Sequence, residues 1–173
     1  MHRWQNNILK KHILMATKHI IESLDNVDIA ILRCLQQDAR LTIKEISREV
    51  NLSSTPVFER IKRMEREGFI KRYVTILDAE KMHKGFMVFC SVKLSPLNRA
   101  VAQEFCETIR NIPEVTECYN ISGRFDYLLK VHAPDMKYYQ EFVLNVLGQL
   151  PMLGALESTF VMEEIKNDFG VAI

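Results

Sequence analysis

The chain has 173 residues, 47% of them hydrophobic and 26% charged, which is typical of a globular protein with one or two small domains. No apolar run reaches the roughly 18 residues of a membrane-spanning helix, and the scattered charges near the N-terminus argue against a secretory signal. The four cysteines lack the paired spacing of a metal or redox site, so we expect reduced thiols in a cytoplasmic protein without a metal or other cofactor.

The net charge of +1 hides an uneven distribution along the chain. Residues 1–77 carry 14 basic and 9 acidic side chains, whereas residues 78–173 carry 9 basic and 13 acidic ones. A basic front and an acidic back suit a nucleic-acid contact at one end of the chain only. Residues 1–24 form an N-terminal extension. Its first 14 residues have two interpretations: a non-native or misassigned leader, or an arm that packs on a partner subunit.

The first two predicted helices are short and carry their own start signals. The pattern predicts a helix over about Asn26 to Gln37, with Asp25 as a plausible N-cap. A second helix is predicted from about Ile43 to Val50, because Thr42 and Glu45 have the spacing of a capping box.

The third predicted helix, about Ser54 to Glu67, has one apolar and one polar face. Ser53 is a candidate cap, and Gly68 is a natural residue to end the helix. The predicted inward stripe consists of Phe58, Ile61 and Met64, with Val57 beside them. At 100° per residue, the opposite face is polar and mostly basic, and comprises Thr55, Glu59, Lys62, Arg63 and Arg66.

Loose alternation from Phe69 to Leu77 predicts a two-stranded wing after the third helix. Residues 25–77 therefore predict a winged helix-turn-helix domain. A solvated helix surface is the alternative interpretation of the basic face, because acidic residues are interleaved with it. The order of helix, turn, helix and wing favours DNA binding instead.

In that interpretation the third helix enters the major groove of double-stranded DNA. The expected phosphate contacts are Lys62, Arg63, Arg66, Lys71 and Arg72. The candidates to reach base edges are Ser54, Thr55, Glu59 and Arg60, with Ser53 preceding them and Arg63 suited to either role.

Residues 78–85 are predicted to be a linker with a short helical turn, and the hydrophobic period then changes. Residues 86–173 predict four strands and two helices in the order βαββαβ, which is the ferredoxin-like motif of an α+β protein. The predicted strands are Phe86–Leu94, Val115–Ile121, Phe125–His132 and Ala155–Met162, and the helices are Asn98–Asn111 and Met136–Gln149. The inward residues of the last helix are predicted to be Met136, Tyr139, Val143, Val146 and Leu147. Two helices cover one sheet face, and a second copy of the chain is the simplest cover for the other.

Three sequence runs together resemble the Lrp/AsnC (feast/famine, leucine-responsive) transcription regulators. These runs are the LDxxDxxIL opening, the ERIxRMExxGFI helix and the SGxFDYLL turn, and the resemblance covers residues 24–167. It implies a regulator whose assembly and DNA binding respond to a small effector, usually an amino acid, bound between dimers. It also implies homodimers that assemble further, often to octamers.

By motif match, the resemblance places the effector site at the SGxFDY turn. The implied residues are Asn120, Ser122, Gly123, Asp126, Tyr127 and Leu128, with Met136, Ser158, Thr159 and Phe160 as neighbours. Arg124 stands where the family commonly has an acidic residue, which puts leucine in doubt as the effector. Arg124 and Asp126 could bind the two charges of a zwitterion if the pocket excludes water. The alternative interpretation is a surface turn whose charges are solvated.

Two other classes of function are less well supported by the sequence. An enzyme on this fold needs converging catalytic groups, but His83 and His132 are isolated, and Glu163 and Glu164 would point to opposite faces of a strand. A module whose winged helix docks a protein instead of DNA is the other alternative. We therefore expect no catalytic residues.

Overall fold

The computed structural model describes residues 24–168 and 170–173, which divide into two compact units. The first contains the described residues up to Thr75 together with Asp168 and residues 170–173; the second is Ile76–Asn167. The predictions for residues 1–23 lie outside the described residues. No helix in the described part of the chain is long and apolar enough to cross a membrane.

The N-terminal unit is built on three helices: α1 (Asn26–Gln37), α2 (Ile43–Glu49) and α3 (Ser54–Arg66). The first two predicted caps are confirmed, because Asp25 accepts a hydrogen bond from the backbone of Asp28, and Thr42 and Glu45 form a reciprocal capping box. Ser53 stands at the N-cap position of α3, as predicted, but its side chain makes no capping hydrogen bond.

The core of this unit lies where α3 packs on α1 and α2. Ile31 of α1 and Ile46 of α2 are fully buried, and they belong to one apolar cluster with Val57, Ile61 and Met64 of α3. Phe58, which was predicted to face inward, is 48% exposed. Ile61 and Met64 are buried as predicted, and Val57, at position i−4 from Ile61, takes the buried place predicted for Phe58.

Within the described residues, the predicted wing does not form a pair of strands. Gly68 ends α3 with a φ of +80°, which glycine adopts without steric cost, as predicted. Residues 69–77 form no strand, and residues 71–77 are exposed. A β-strand needs a neighbour for its backbone hydrogen bonds, and no described segment supplies one here.

The second unit contains a four-stranded antiparallel sheet with the strand order β2-β3-β1-β4. Its elements are β1 (Phe86–Leu94), α4 (Arg99–Arg110), β2 (Val115–Asn120), β3 (Tyr127–Ala133), α5 (Met136–Asn145), a 3₁₀ turn (Leu147–Gln149) and β4 (Leu153–Phe160). This order and connectivity confirm the predicted ferredoxin-like fold. The last strand begins and ends two residues before the prediction, and the last helix ends earlier.

The helix-facing side of the sheet forms the second core. Alternate β1 residues from Val88 to Leu94 are buried, as predicted, under Phe105 of α4 and Phe142 of α5. Met136 and Val146 were predicted to face inward, but they are 42% and 37% exposed. Tyr139 and Leu147 are buried as predicted, and Phe142, one helical turn from Tyr139 on the same side of α5, is buried with them.

Candidate DNA-binding surface and effector site

The turn between α2 and α3 fixes the relation of the two helices. Asn51 takes a φ of +54°, a left-handed conformation that asparagine tolerates better than most residues. The backbone N–H of Leu52 donates to Ser47 O at 3.0 Å, and the Ser47 hydroxyl donates to Ile43 O at 2.6 Å. The tight turn thus presents one side of α3 to solvent.

Most of the predicted DNA-contacting residues lie on that exposed side or directly follow it. They are Ser53, Ser54, Thr55, Glu59, Lys62, Arg66, Lys71 and Arg72. Lys62 is held by its own helix, because its Nζ lies 2.7 Å from Glu65 Oε2 and 5.8 Å from the ring centroid of Phe58. Glu65 also accepts a hydrogen bond from Tyr73, and the bonds from Lys62 and Tyr73 lower its pKa. Partial burial, then the bond to Glu65, raises the pKa of Tyr73 to about 12.

Two arginines of α3 that were predicted to contact DNA make ion pairs within the N-terminal unit. Arg60 Nη1 lies 2.7 Å from Asp25 Oδ2 and 2.8 Å from Asp28 Oδ1. Arg63 donates to the other oxygen of Asp28, a residue only 1% exposed. The bonds to Asp28 and then to Asp25 raise the pKa of Arg60, so its guanidinium stays charged. A helical wheel did not reveal this, because arginine side chains are long enough to reach around a helix.

The predicted effector turn joins β2 to β3. Gly123 has a φ of +129°, and a Cβ at this position would meet open space, so the backbone conformation rather than crowding favours glycine. Arg124 is largely exposed, with its guanidinium 5.2 Å from the ring centroid of Phe125. Its Nη1 lies 3.7 Å from Glu157 Oε2 on β4. Glu157 was not among the predicted residues, because the motif match selected the residues that follow it.

Asp126 is buried and satisfied by the protein itself. Its Oδ1 accepts from Lys93 Nζ at 2.9 Å, and its Oδ2 accepts from the backbone N–H of Leu94 at 2.8 Å. These two bonds, the one from Lys93 first, lower the pKa of the Asp126 carboxyl. The carboxylate therefore fixes the start of β3 against the end of β1, and both of its oxygens have protein donors.

The remaining predicted effector residues do not converge within one chain. The strand register puts Asn120, Tyr127, Ser158 and Phe160 on the helix-facing side of the sheet and Leu128 and Thr159 on the other. Tyr127 is buried against Phe105, with ring centroids 4.7 Å apart. Met136 follows the end of β3, whereas Ser122–Arg124 precede its start, and the seven residues of β3 span roughly 20 Å.

A buried polar cluster lies beneath α5, the helix that begins at Met136. The Tyr139 hydroxyl is 2.5 Å from Ser158 Oγ and 2.9 Å from Cys90 Sγ. Burial raises the pKa of both Tyr139 and Cys90. These groups stay neutral, so they are structural rather than reactive at neutral pH. Within residues 24–168 and 170–173, no three His, Cys, Asp or Glu side chains are grouped so that they could hold a metal ion.

Two family models match the chain. One covers most of the N-terminal unit, and the other covers most of the second unit. The model described as winged helix-turn-helix DNA-binding matches residues 24–71, and the Lrp/AsnC ligand binding domain matches residues 87–171. The leucine-responsive regulatory protein of Escherichia coli strain K12 is 37% identical over 146 residues, or 84% of this chain and 89% of its own. The chain belongs to the Lrp/AsnC family.

Other transcriptional regulators are similar to the chain in sequence and in structure. The proline dehydrogenase transcriptional activator of Rhizobium radiobacter is 36% identical, with 88% of this chain and 98% of its own covered. A Neisseria meningitidis transcriptional regulator, solved as an L-Met complex, superimposes with a TM-score of 0.83 at 34% identity, over 86% of this chain and 96% of its own. An AsnC family regulator from Agrobacterium tumefaciens superimposes with a TM-score of 0.81 at 35% identity, over 86% of this chain and 97% of its own. The protein is therefore a DNA-binding transcriptional regulator with an effector-binding domain, and it is not an enzyme.

Proposed function

We propose that this Lrp/AsnC regulator binds double-stranded DNA through the exposed side of α3 and the basic residues that follow it. The observation that carries the proposal is the exposure of Arg66, Lys71 and Arg72, which have no ion-pair partner among the described residues. Unpaired cations on one surface attract phosphates and release counterions when they bind. Thr55 and Glu59, near the start of the same exposed side, are positioned to read base edges.

Lys62 joins this surface when DNA is present. Its pair with Glu65 is an exposed i,i+3 contact, and such pairs contribute at most about 1 kcal/mol. A phosphate can replace the carboxylate at little cost. Glu65 keeps its hydrogen bond from Tyr73 after the exchange.

Filter binding over a salt series tests the DNA surface. The double variant Arg66→Ala/Lys71→Ala should reduce the slope of log K against log salt by about 1.8, the value for two lost phosphate contacts. Lys81→Ala/Lys137→Ala is the matched control, because both lysines are exposed in the second unit. An unchanged slope for the first variant would mean that DNA binds elsewhere.

We also propose that the effector is an amino acid held where two chains meet. The roughly 20 Å between the Ser122–Arg124 turn and Met136 supports a site completed by a second chain. Arg124 and Glu157 put a cation and an anion side by side near the turn. That charge pair matches the carboxylate and ammonium groups of an amino acid. The Neisseria relative, named for its L-Met complex, supports the same ligand class.

The proposed assembly is a homodimer that forms larger rings, with an octamer as the expected state. Binding of the effector shifts the population between assemblies, and DNA binding changes with it. A panel of amino acids is tested by thermal shift, by sedimentation velocity and by DNA binding. Arg124→Ala should weaken any response severalfold without altering the unliganded melting temperature. If no amino acid changes melting, assembly or DNA binding, the effector is of another class.

A further inference from the structure

Asp28 is the most deeply buried charged side chain of the N-terminal unit's described part. It sits in the first turn of α1 and is 1% exposed. One of its oxygens accepts from Arg60 at 2.8 Å, and the other accepts from Arg63 and from the backbone N–H of Asp25 at 3.0 Å. Both oxygens are occupied by donors, so Asp28 has a complete set of partners.

The two arginines belong to the helix that faces DNA, yet the carboxylates of α1 neutralise them. Asp25 and Asp28 supply two negative charges to the two guanidinium groups. The Arg60 and Arg63 side chains are only 28% and 34% exposed. If either guanidinium left Asp28 for a phosphate, the buried carboxylate would lose one of its two arginine partners and a charged hydrogen bond, which is unfavourable.

We infer that Asp28 is a specificity-determining residue of this regulator, because it withholds Arg60 and Arg63 from the DNA backbone. The inference rests on the proposed use of α3 as the DNA-binding helix. Phosphate contacts raise affinity for every sequence alike, whereas base contacts discriminate between sequences. With two cations bound internally, a larger share of the binding free energy comes from the side chains that reach base edges.

Asp28→Asn tests the inference, because it keeps the shape of the side chain and removes its charge. Arg63 then loses its only carboxylate partner among the described residues, whereas Arg60 keeps Asp25. On a random-sequence duplex, the slope of log K against log salt should steepen by about 0.9 for Asp28→Asn and by about 1.8 for Asp25→Asn/Asp28→Asn. Discrimination between a duplex selected by the wild-type protein and the random duplex should fall severalfold.

Asp25→Asn alone is the matched control. Asparagine still caps α1, and Arg60 still has Asp28, so the slope should equal that of the wild-type protein. A slope that stays unchanged or becomes shallower in a folded Asp28→Asn protein, as judged by circular dichroism, would overturn the inference.

If Asp28→Asn does not fold, Arg60→Gln and Arg63→Gln are measured separately in the otherwise wild-type protein. Each leaves one arginine on Asp28, and each should leave the salt slope unchanged. If the salt slope of either variant fell by about 0.9, that arginine would contact a phosphate in the wild-type complex, and the inference would be refuted. Failure of the proposed DNA surface looks different, because Arg66→Ala/Lys71→Ala would then have no effect.

Discussion

Replacing Asp126 with alanine is expected to lower the free energy of unfolding of the second unit by about 3 kcal/mol. The change removes two hydrogen bonds and leaves the buried N–H of Leu94 without an acceptor. A bond to a charged group contributes about 1.5–3 kcal/mol, and an unsatisfied buried donor costs about 1–3 kcal/mol. Lys93 is 42% exposed, so water screens its share to at most about 1 kcal/mol.

Urea denaturation followed by circular dichroism measures the effect, with the transition of each unit fitted separately. Asp126→Asn keeps an acceptor for the backbone N–H of Leu94, so it should lower the free energy of unfolding less than Asp126→Ala. Lys93→Met should cost least, because it leaves the backbone bond in place. A stability of Asp126→Ala within about 0.5 kcal/mol of wild type, a difference typical of surface changes, would refute the structural role. So would a Lys93→Met variant as unstable as Asp126→Ala.

The contribution of Asp126 to stability should depend on pH. The hydrogen bonds from Lys93 and Leu94 lower the pKa of folded Asp126 below its ordinary value of about 3.9. The stabilisation is therefore complete above that ordinary value and is lost as the pH falls through the lowered one. The stability difference between the wild-type protein and Asp126→Asn should shrink below about pH 4. A difference that grows under acid would contradict the assigned contacts.

Three further predictions follow from burial and backbone geometry. Met64→Ala should cost about 2–5 kcal/mol because Met64 is fully buried, whereas the half-exposed Phe58→Ala should cost less than about 1 kcal/mol in the same urea assay. Gly68→Ala should lower the stability of the N-terminal unit by about 1 kcal/mol, because alanine at a φ of +80° is strained, and thermal unfolding measures this. Cys118 should react with a thiol reagent in the native protein, and the buried Cys90 only after unfolding; equal rates would contradict the packing.

The order of elements was predictable because hydrophobic period and capping chemistry are local. Asp25 and Thr42 mark their helix starts, and β1 alternates cleanly, so neither needs tertiary information. The choice between Val57 and Phe58 was not predictable, because the two neighbours differ by only 100° around α3. Contact with α1 and α2 decides which of them is buried.

The wing shows a second limit of local reasoning. The residues from Lys71 to Leu77 alternate as a strand does, yet a strand also requires a neighbouring backbone. The alternation within one segment does not show whether such a neighbouring strand exists. The predicted effector residues show a related limit: the motif selects residues that are contiguous in sequence, whereas the strand register places neighbouring strand residues on opposite faces of the sheet.

Each unit uses one buried carboxylate to fix the element that carries its functional residues. Asp28 binds α3 to α1, and Asp126 holds the start of β3, next to the effector turn, against β1. A buried carboxylate is stable only when protein donors occupy its oxygens, so neither has an oxygen free for DNA or an effector. We therefore propose that the ligand of each unit meets exposed charges instead, Arg66 on α3 and Arg124 near Asp126. Burial separates the charged side chains that hold each unit together from the exposed ones that we propose meet a ligand.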